Sequence, residues 1–330
     1  MPFRDILGHA RLTSLLLRAV VRESVPPTLL LAGPAGVGKW RAAFALAEAL
    51  NCQAPVDGDA CGTCRSCDRI ARGLHVDVRT LEPDDSGKIK IEPVRDVLDG
   101  CGYRPFEGKR RVVLIRDADA LLESAQNSLL KSLEEPPPAT VFVLTSAAPD
   151  ALLRTVRSRT MRLTFGRLTI DEVEQLLARD HGRDPAEARR LAGLADGSVG
   201  AALALGSADL TETREAAVRL LQAATERDLA GRIAVAKSVV SAKKTDLTRH
   251  EMAAVLRLAA SLVRDVSALH SGSDRRLLAN GDMGDELDRL ARSLPAPAAR
   301  KAFATLDRAL SALDRNGGVK LVAEWVAAEM

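Results

Sequence analysis

An α/β chain, with a parallel sheet in its first half and helices alone in its second, is the fold class this sequence predicts. Three observations lead there. Short apolar runs without polar alternation recur between residues 28 and 164, the pattern of strands buried on both faces. Helical patterns lie between those runs, as the crossovers of a parallel sheet require. After about Phe165 the strand signals stop.

The candidate strands are 28–32, 76–81, 112–115, 141–145 and 161–164. The candidate helices around them are 6–22, 39–50, 64–72, 91–99 and 123–133. Thr169 then precedes Ile170-Asp171-Glu172, a cap followed by early acids, so a helix starts there. Another runs from about Asp184, where Pro185 suits the first turn, to Ala195, and Asp196-Gly197-Ser198 breaks it and starts a third. This three-helix unit of roughly 40 residues is too small for a core of its own, so it should pack on a neighbour. From about Ala208 to Met330 the pattern is helical, with breaks near 243–246, 271–274, 294–297 and 316–318. Four or five long helices are expected. The predicted division is 1–166 for the sheet domain, 167–206 for the small helical unit and 207–330 for the helical end domain.

Hydrophobic residues make up 46% of the 330 and charged residues 28%, which excludes a disordered chain. Aromatics are only 3%, so the core must be aliphatic. The 47 basic and 44 acidic residues nearly balance at +3, which argues against a protein that wraps nucleic acid unaided. No apolar run approaches the roughly 20 residues that cross a bilayer. Met1-Pro2-Phe3-Arg4-Asp5 lacks a basic region followed by an apolar core. A cytoplasmic location without a membrane partner is expected, and five cysteines there are not a disulfide framework.

Gly33-Pro34-Ala35-Gly36-Val37-Gly38-Lys39-Trp40 follows the first strand and opens a helix. Gly33, Gly36 and Gly38 allow backbone N–H groups to turn inward around phosphate at the helix N-terminus, and Lys39 would reach the outer phosphates. The pattern lacks its closing Ser or Thr, whose hydroxyl ligates Mg²⁺. Trp40 supplies no oxygen. At the end of the third strand, Arg116 stands where a metal-binding Asp is expected, followed by Asp117. Two losses at the metal position predict a chain without ATPase activity. Whether ATP binds at all stays open, since Lys39 also reads as a loop lysine in a relic.

Cys52, Cys61, Cys64 and Cys67 have the spacing C-x8-C-x2-C-x2-C. Four thiolates in so short a stretch, within a module spanning 51–68, suit a closed tetrahedral Zn²⁺ site, structural rather than catalytic. The C-x2-C-x2-C end also matches part of an iron–sulfur pattern, but nothing downstream completes it. Cys101 is distant and reads as a buried small residue.

Leu129-Leu-Lys-Ser-Leu-Glu-Glu-Pro-Pro137, Val141-Phe-Val-Leu-Thr-Ser146 and Arg157-Ser158-Arg159-Thr160 now combine with the phosphate loop and its cysteine module. Together they resemble the AAA+ clamp-loader subunits of bacterial DNA polymerase III, strongly to about residue 205 and beyond it by length and character only. The resemblance implies a P-loop domain with a five-stranded parallel sheet, a three-helix lid and an all-helical collar for oligomerisation. It implies as partners the motor subunits gamma and tau and the delta subunit, with the sliding clamp and primer-template DNA reached through the complex. The family's motor subunits are active ATPases, whereas delta-prime often has a degraded nucleotide site, as Trp40 and Arg116 suggest here. Gly197-Ser-Val-Gly-Ala-Ala202 also lacks the lid arginine that motor subunits carry near Gly200. An active gamma/tau-like motor is the alternative. Read alone, Arg159 is a solvated or ion-paired surface arginine; the resemblance implies an arginine finger given in trans to a neighbour's ATP. Thr145 and Ser146 match a polar sensor equally well as plain strand-end hydroxyls.

Overall fold

Strands β1 (Thr28–Ala32), β2 (Val78–Leu81), β3 (Arg111–Ile115), β4 (Thr140–Ser146) and β5 (Met161–Thr164) form one parallel sheet in the order β2-β3-β4-β1-β5. The structure is a computed structural model, and it describes all residues except 208–209, 224–227, 242–246, 276–277 and 315–316. Two compact units divide the chain, 1–172 and 173–330.

In the first unit the strand side chains alternate between two aliphatic layers. Leu29, Leu31, Val112, Leu114 and Val143 face helices α1 (Ala10–Val21) and α2 (Lys39–Asn51), where Leu16, Ala42, Ala43 and Leu46 are buried. Leu30, Ala32, Val113, Ile115, Phe142 and Leu144 face the opposite layer, with Val94, Val97, Leu129 and Leu133. Those come from α4 (Ile91–Cys101) and α5 (Glu123–Glu134). Helix α3 (Arg65–Ala71) packs on α2. Each fully buried Leu or Val contributes roughly 1.5–3 kcal/mol, so both faces of β1, β3 and β4 must stay apolar.

The element order matches the sequence pattern, with local differences that have visible causes. The helix expected over 6–22 begins only at Ala10, because Gly8 and His9 have φ of 75° and 53°, outside helical space. Phe3–Asp5 is instead a short 3₁₀ turn. The strand expected from 76 begins at Val78, and the carboxylate of Asp77 just before it anchors a neighbouring loop. A short helix, α6 (Arg154–Arg157), went unforeseen: four residues carry too little periodicity to be read.

In the second unit, α8 (Pro185–Leu194) and α9 (Val199–Ser207) pack on each other and on α12 (Arg249–His270). Helix α7 (Ile170–His181) spans the division, and Thr169 caps it reciprocally with Glu172. Asp184 caps α8 by accepting from the Ala186 and Glu187 N–H groups. Beyond Ser207 the described residues hold six helices, more than the four or five expected. They are α10 (Leu210–Ala223), α11 (Leu229–Val240), α12, α13 (Gly284–Ser293), α14 (Ala296–Asp314) and α15 (Val319–Glu329). The expected break at 243–246 lies outside the described residues, as do Ala208 and Asn316. Among the described residues no helix is long and apolar enough to cross a membrane.

One polar knot sits inside this helical unit. Asp265, 3% exposed on α12, accepts from the Asn280 backbone N–H at 2.8 Å, Asn280 Nδ2 at 2.7 Å and the Ala279 N–H at 3.2 Å. Asp265→Ala should leave the Ala279 and Asn280 backbone N–H groups without an acceptor and Asn280 Nδ2 with Ser261 Oγ alone, a loss of about 3 kcal/mol. Urea unfolding of the full chain followed by circular dichroism checks this, with Asp265→Asn, which keeps one acceptor, falling between. An Ala variant as stable as the parent would show that the knot contributes nothing.

Candidate functional site

The phosphate loop joins β1 to α2 at the carboxyl end of the sheet, where such sites form. A Cβ added to Gly33 would lie 2.2 Å from Phe165 O, because the chain leaving β5 presses on the start of the loop. Gly38, at φ 102°, has open space where its Cβ would be. The loop therefore keeps the glycine-dependent shape of an anion cradle. Lys39 is 6% exposed, and its Nζ donates to the carbonyls of Gly33 at 2.7 Å and Pro34 at 2.6 Å. Its ammonium is engaged by the loop's own backbone. His9, from the turn before α1, lies 3.0 Å from Val37 O through Nε2 and meets the Phe165 ring edge-on.

Trp40 and Arg116, read in the sequence as two separate losses, meet in space. The Arg116 guanidinium lies 5.7 Å from the centre of the Trp40 ring, whose other neighbour is Phe44, packed edge-on at 5.0 Å. Glu82 Oε2 holds Arg116 Nη1 at 3.2 Å, and Asp117 Oδ2 lies 3.7 Å from Nε. The two residues that stand in for the expected hydroxyl and carboxylate are thus stacked as a cation on an indole. Sequence reading missed the contact, although an aromatic and a cation replacing two ligands of one metal was a usable signal.

Thr145 is buried and accepts the Asp117 N–H at 3.1 Å, while Ser146 O accepts the Gly33 N–H at 3.1 Å. Strand alternation puts Thr145 on the face of Leu31 and Ser146 on the opposite face, where its hydroxyl is buried without a partner among the described residues. The two hydroxyls are thus not a matched pair.

The four cysteines converge. Their Sγ atoms all lie within 4.8 Å of one another, Cys52 and Cys64 at 4.0 Å. A zinc with Zn–S bonds of about 2.3 Å needs sulfurs roughly 3.8 Å apart, so a small contraction would complete the tetrahedron. Cys52 closes α2, Cys64 precedes α3, Cys67 lies in its first turn and Cys61 sits in the loop between. Two N–H groups point at Cys61 Sγ, from Cys64 at 3.2 Å and Thr63 at 3.4 Å. These donors hold its thiol down at about 6, as a thiolate ligand requires. Burial pushes the Cys52 and Cys67 thiols up, so those two ligands would give up protons on binding a metal. The donor set fits a structural metal ion, which would cross-link the ends of two helices.

The module also grips parts of the chain that the sequence did not connect to it. Asp59, 5% exposed, accepts the N–H groups of Phe3 and Arg4, both at 3.0 Å. The Arg4 guanidinium reaches back to Ala60 O and Cys61 O. On the other side, Lys109 Nζ donates to Cys52 O at 3.2 Å and the Arg110 N–H to Asn51 Oδ1 at 3.0 Å. Buried Asp77 completes that anchor, accepting the N–H groups of Phe106, Glu107 and Gly108 at 2.7–2.8 Å. Cys101 is buried and lies apart from the cluster, its thiol bonded to Val97 O.

Arg159 follows α6 just before β5 and is about one-third exposed. Its Nη2 lies 3.2 Å from Glu134 Oε1 and its Nη1 donates to Thr155 O at 3.1 Å. Arg157, two residues away, pairs instead with Asp150. Local sequence gave no hint of either partner.

A family model described as DNA polymerase III, delta subunit, matches residues 8–169. The delta' subunit of DNA polymerase III from Pseudomonas aeruginosa is 40% identical over 171 residues, 51% of this chain and 52% of that protein. The tau subunit from Salmonella typhimurium is 33% identical over 208 residues, 62% of this chain and 32% of its own length. The gamma subunit from Buchnera aphidicola is 36% identical over 157 residues, 48% of this chain and 43% of its own. The chain spans about half the length of these relatives or less. Residues 8–169, which hold the parallel sheet and the phosphate loop, thus carry the family likeness of the DNA polymerase III clamp-loader subunits.

Proposed function

We propose that this chain is a clamp-loader subunit of the delta-prime kind, which does not hydrolyse ATP and lends Arg159 to a neighbouring subunit's ATP. One observation carries the reading: the Arg116 guanidinium packed on Trp40 at the mouth of the phosphate loop. Phosphoryl transfer in this site class depends on a metal held by a hydroxyl and a carboxylate. Here Trp40 and Arg116 replace those two ligands, and neither an indole nor a guanidinium offers an atom that binds a divalent cation. Residues 167–206 would act as the lid and 207–330 as the collar through which subunits assemble. Its partners would be the gamma/tau motor subunits and the delta subunit, with the sliding clamp and primer-template DNA engaged through the complex in the cytoplasm. The cysteine module would hold zinc as a brace and take no part in chemistry.

The second reading is an active motor of the gamma/tau type, favoured by the intact glycines and by Lys39 at the helix start. A turnover assay of the purified chain with Mg²⁺-ATP separates the two. No hydrolysis above background is expected, and Trp40→Thr alone should not restore it because Arg116 still occupies the metal position. A hydrolysis rate in the parent chain that disappears in Lys39→Ala would establish the motor reading.

A further inference from the structure

Arg159 is fixed at its main chain and only lightly held at its tip. Its carbonyl accepts a hydrogen bond from Thr28 Oγ1 at 2.6 Å, on a threonine only 6% exposed. Thr28 begins β1, so the arginine backbone is tied to the strand that leads into the phosphate loop. The tip is different. Glu134, the last residue of α5, is 59% exposed, and a single oxygen of its carboxylate meets Nη2, while Nη1 donates to Thr155 O at 3.1 Å and lies 3.5 Å from Ser158 Oγ. Arg159 Nε is buried and has no hydrogen-bond partner among the described residues, so this pose leaves one of the side chain's donors unused. A half-solvated, one-oxygen ion pair that strands a donor is easily exchanged.

We propose that Glu134 is a competing anion that holds Arg159 until the phosphate of a neighbouring subunit's nucleotide takes its place. The proposal rests on reading Arg159 as a finger given in trans. A phosphate offers two oxygens to the guanidinium fork and more negative charge than one carboxylate, so it wins the exchange. Glu134 and that phosphate repel each other, so the ion pair breaks as the finger engages. Glu134 thereby lowers the fraction of engaged fingers by the strength of an exposed ion pair, a factor of about 1.5 to 5. Thr28 is a positioning residue with the opposite effect, keeping the main chain in place while the tip changes partner.

The test uses a loader reconstituted from this full chain and the gamma/tau-type and delta subunits of the same organism. ATP hydrolysis is measured at low and high salt for the parent, Glu134→Gln, Arg159→Ala and the double variant. Glu134→Gln is expected to raise the rate about 1.5- to 5-fold at low salt, with the gain shrinking at high salt and vanishing beside Arg159→Ala. An unchanged or lower rate in Glu134→Gln, while Arg159→Ala still slows hydrolysis, overturns the proposal and leaves the finger reading standing. A gain that survives in the double variant also overturns it, because Glu134 would then act on something other than Arg159. Parent-like hydrolysis in Arg159→Ala removes the finger reading and this proposal with it.

Discussion

Arg159→Ala, assembled with motor and delta subunits, is expected to leave the complex at its normal size and to lower clamp-stimulated ATP hydrolysis and clamp loading together. An arginine finger is worth about 10³-fold or more at the site it serves. The whole complex should lose less, since the other motor sites keep fingers from their own neighbours. Folding should not change, because the side chain is partly exposed and such substitutions usually stay within about 0.5 kcal/mol. Arg157→Ala is the control: it removes the same charge two residues away, but from a guanidinium paired with Asp150. Sizing chromatography and steady-state hydrolysis decide the matter. Equal effects of the two variants, or failure of Arg159→Ala to assemble, would make Arg159 an interface residue and nothing more.

The cysteine module should bring one zinc per chain through purification, and Cys64→Ser should release it. A structural zinc contributes on the order of 10 kcal/mol in small peptides at neutral pH, less where the ligands are already held by a larger fold. Here Cys52 and Cys67 are anchored on α2 and α3, so the sheet should survive while 51–68 loosens. Loosening should also spread to Phe3–Asp5, because Asp59 and the carbonyls of Ala60 and Cys61 hold that turn. Hydrogen exchange of the parent and the variant would show faster exchange in both segments and unchanged protection in β1, β3 and β4. The metal should be lost as pH falls, since each ligand regains its proton and burial already favours the protonated forms of Cys52 and Cys67. Elemental analysis that finds no zinc in unchelated protein, or a Cys64→Ser variant that keeps it, would rule the site out.

Much of this architecture was legible from local pattern. A strand buried on both faces writes a continuous apolar run, so β1, β3 and β4 stand out in the sequence. The phosphate loop and the cysteine ligands lie within short segments, where spacing alone restricts geometry. Helix starts carried their caps in the sequence, as at Thr169 and Asp184. Local pattern was weakest where it had fewest residues to act on, at α6, at the delayed start of α1 and in the number of helices after Ser207.

The chemistry of the site divides along the same line. Residue type and spacing by themselves pointed to a glycine cradle, to Trp40 and Arg116 in place of its expected metal ligands and to four thiols that can share one ion. Only the tertiary structure decided what the replacements do. Trp40 lies in the first turn of α2 and Arg116 directly follows β3, and they meet because β4 alone separates β1 from β3 in the sheet. Glu134 reaches Arg159 because α5 and α6 pack together, and Asp59 reaches Phe3 because the cysteine loop folds back over the first turn. Each of these contacts joins residues 25 or more positions apart. Periodicity and capping act over one or two turns, so such pairings arise only when the packed sheet brings the ends of its strands and helices together.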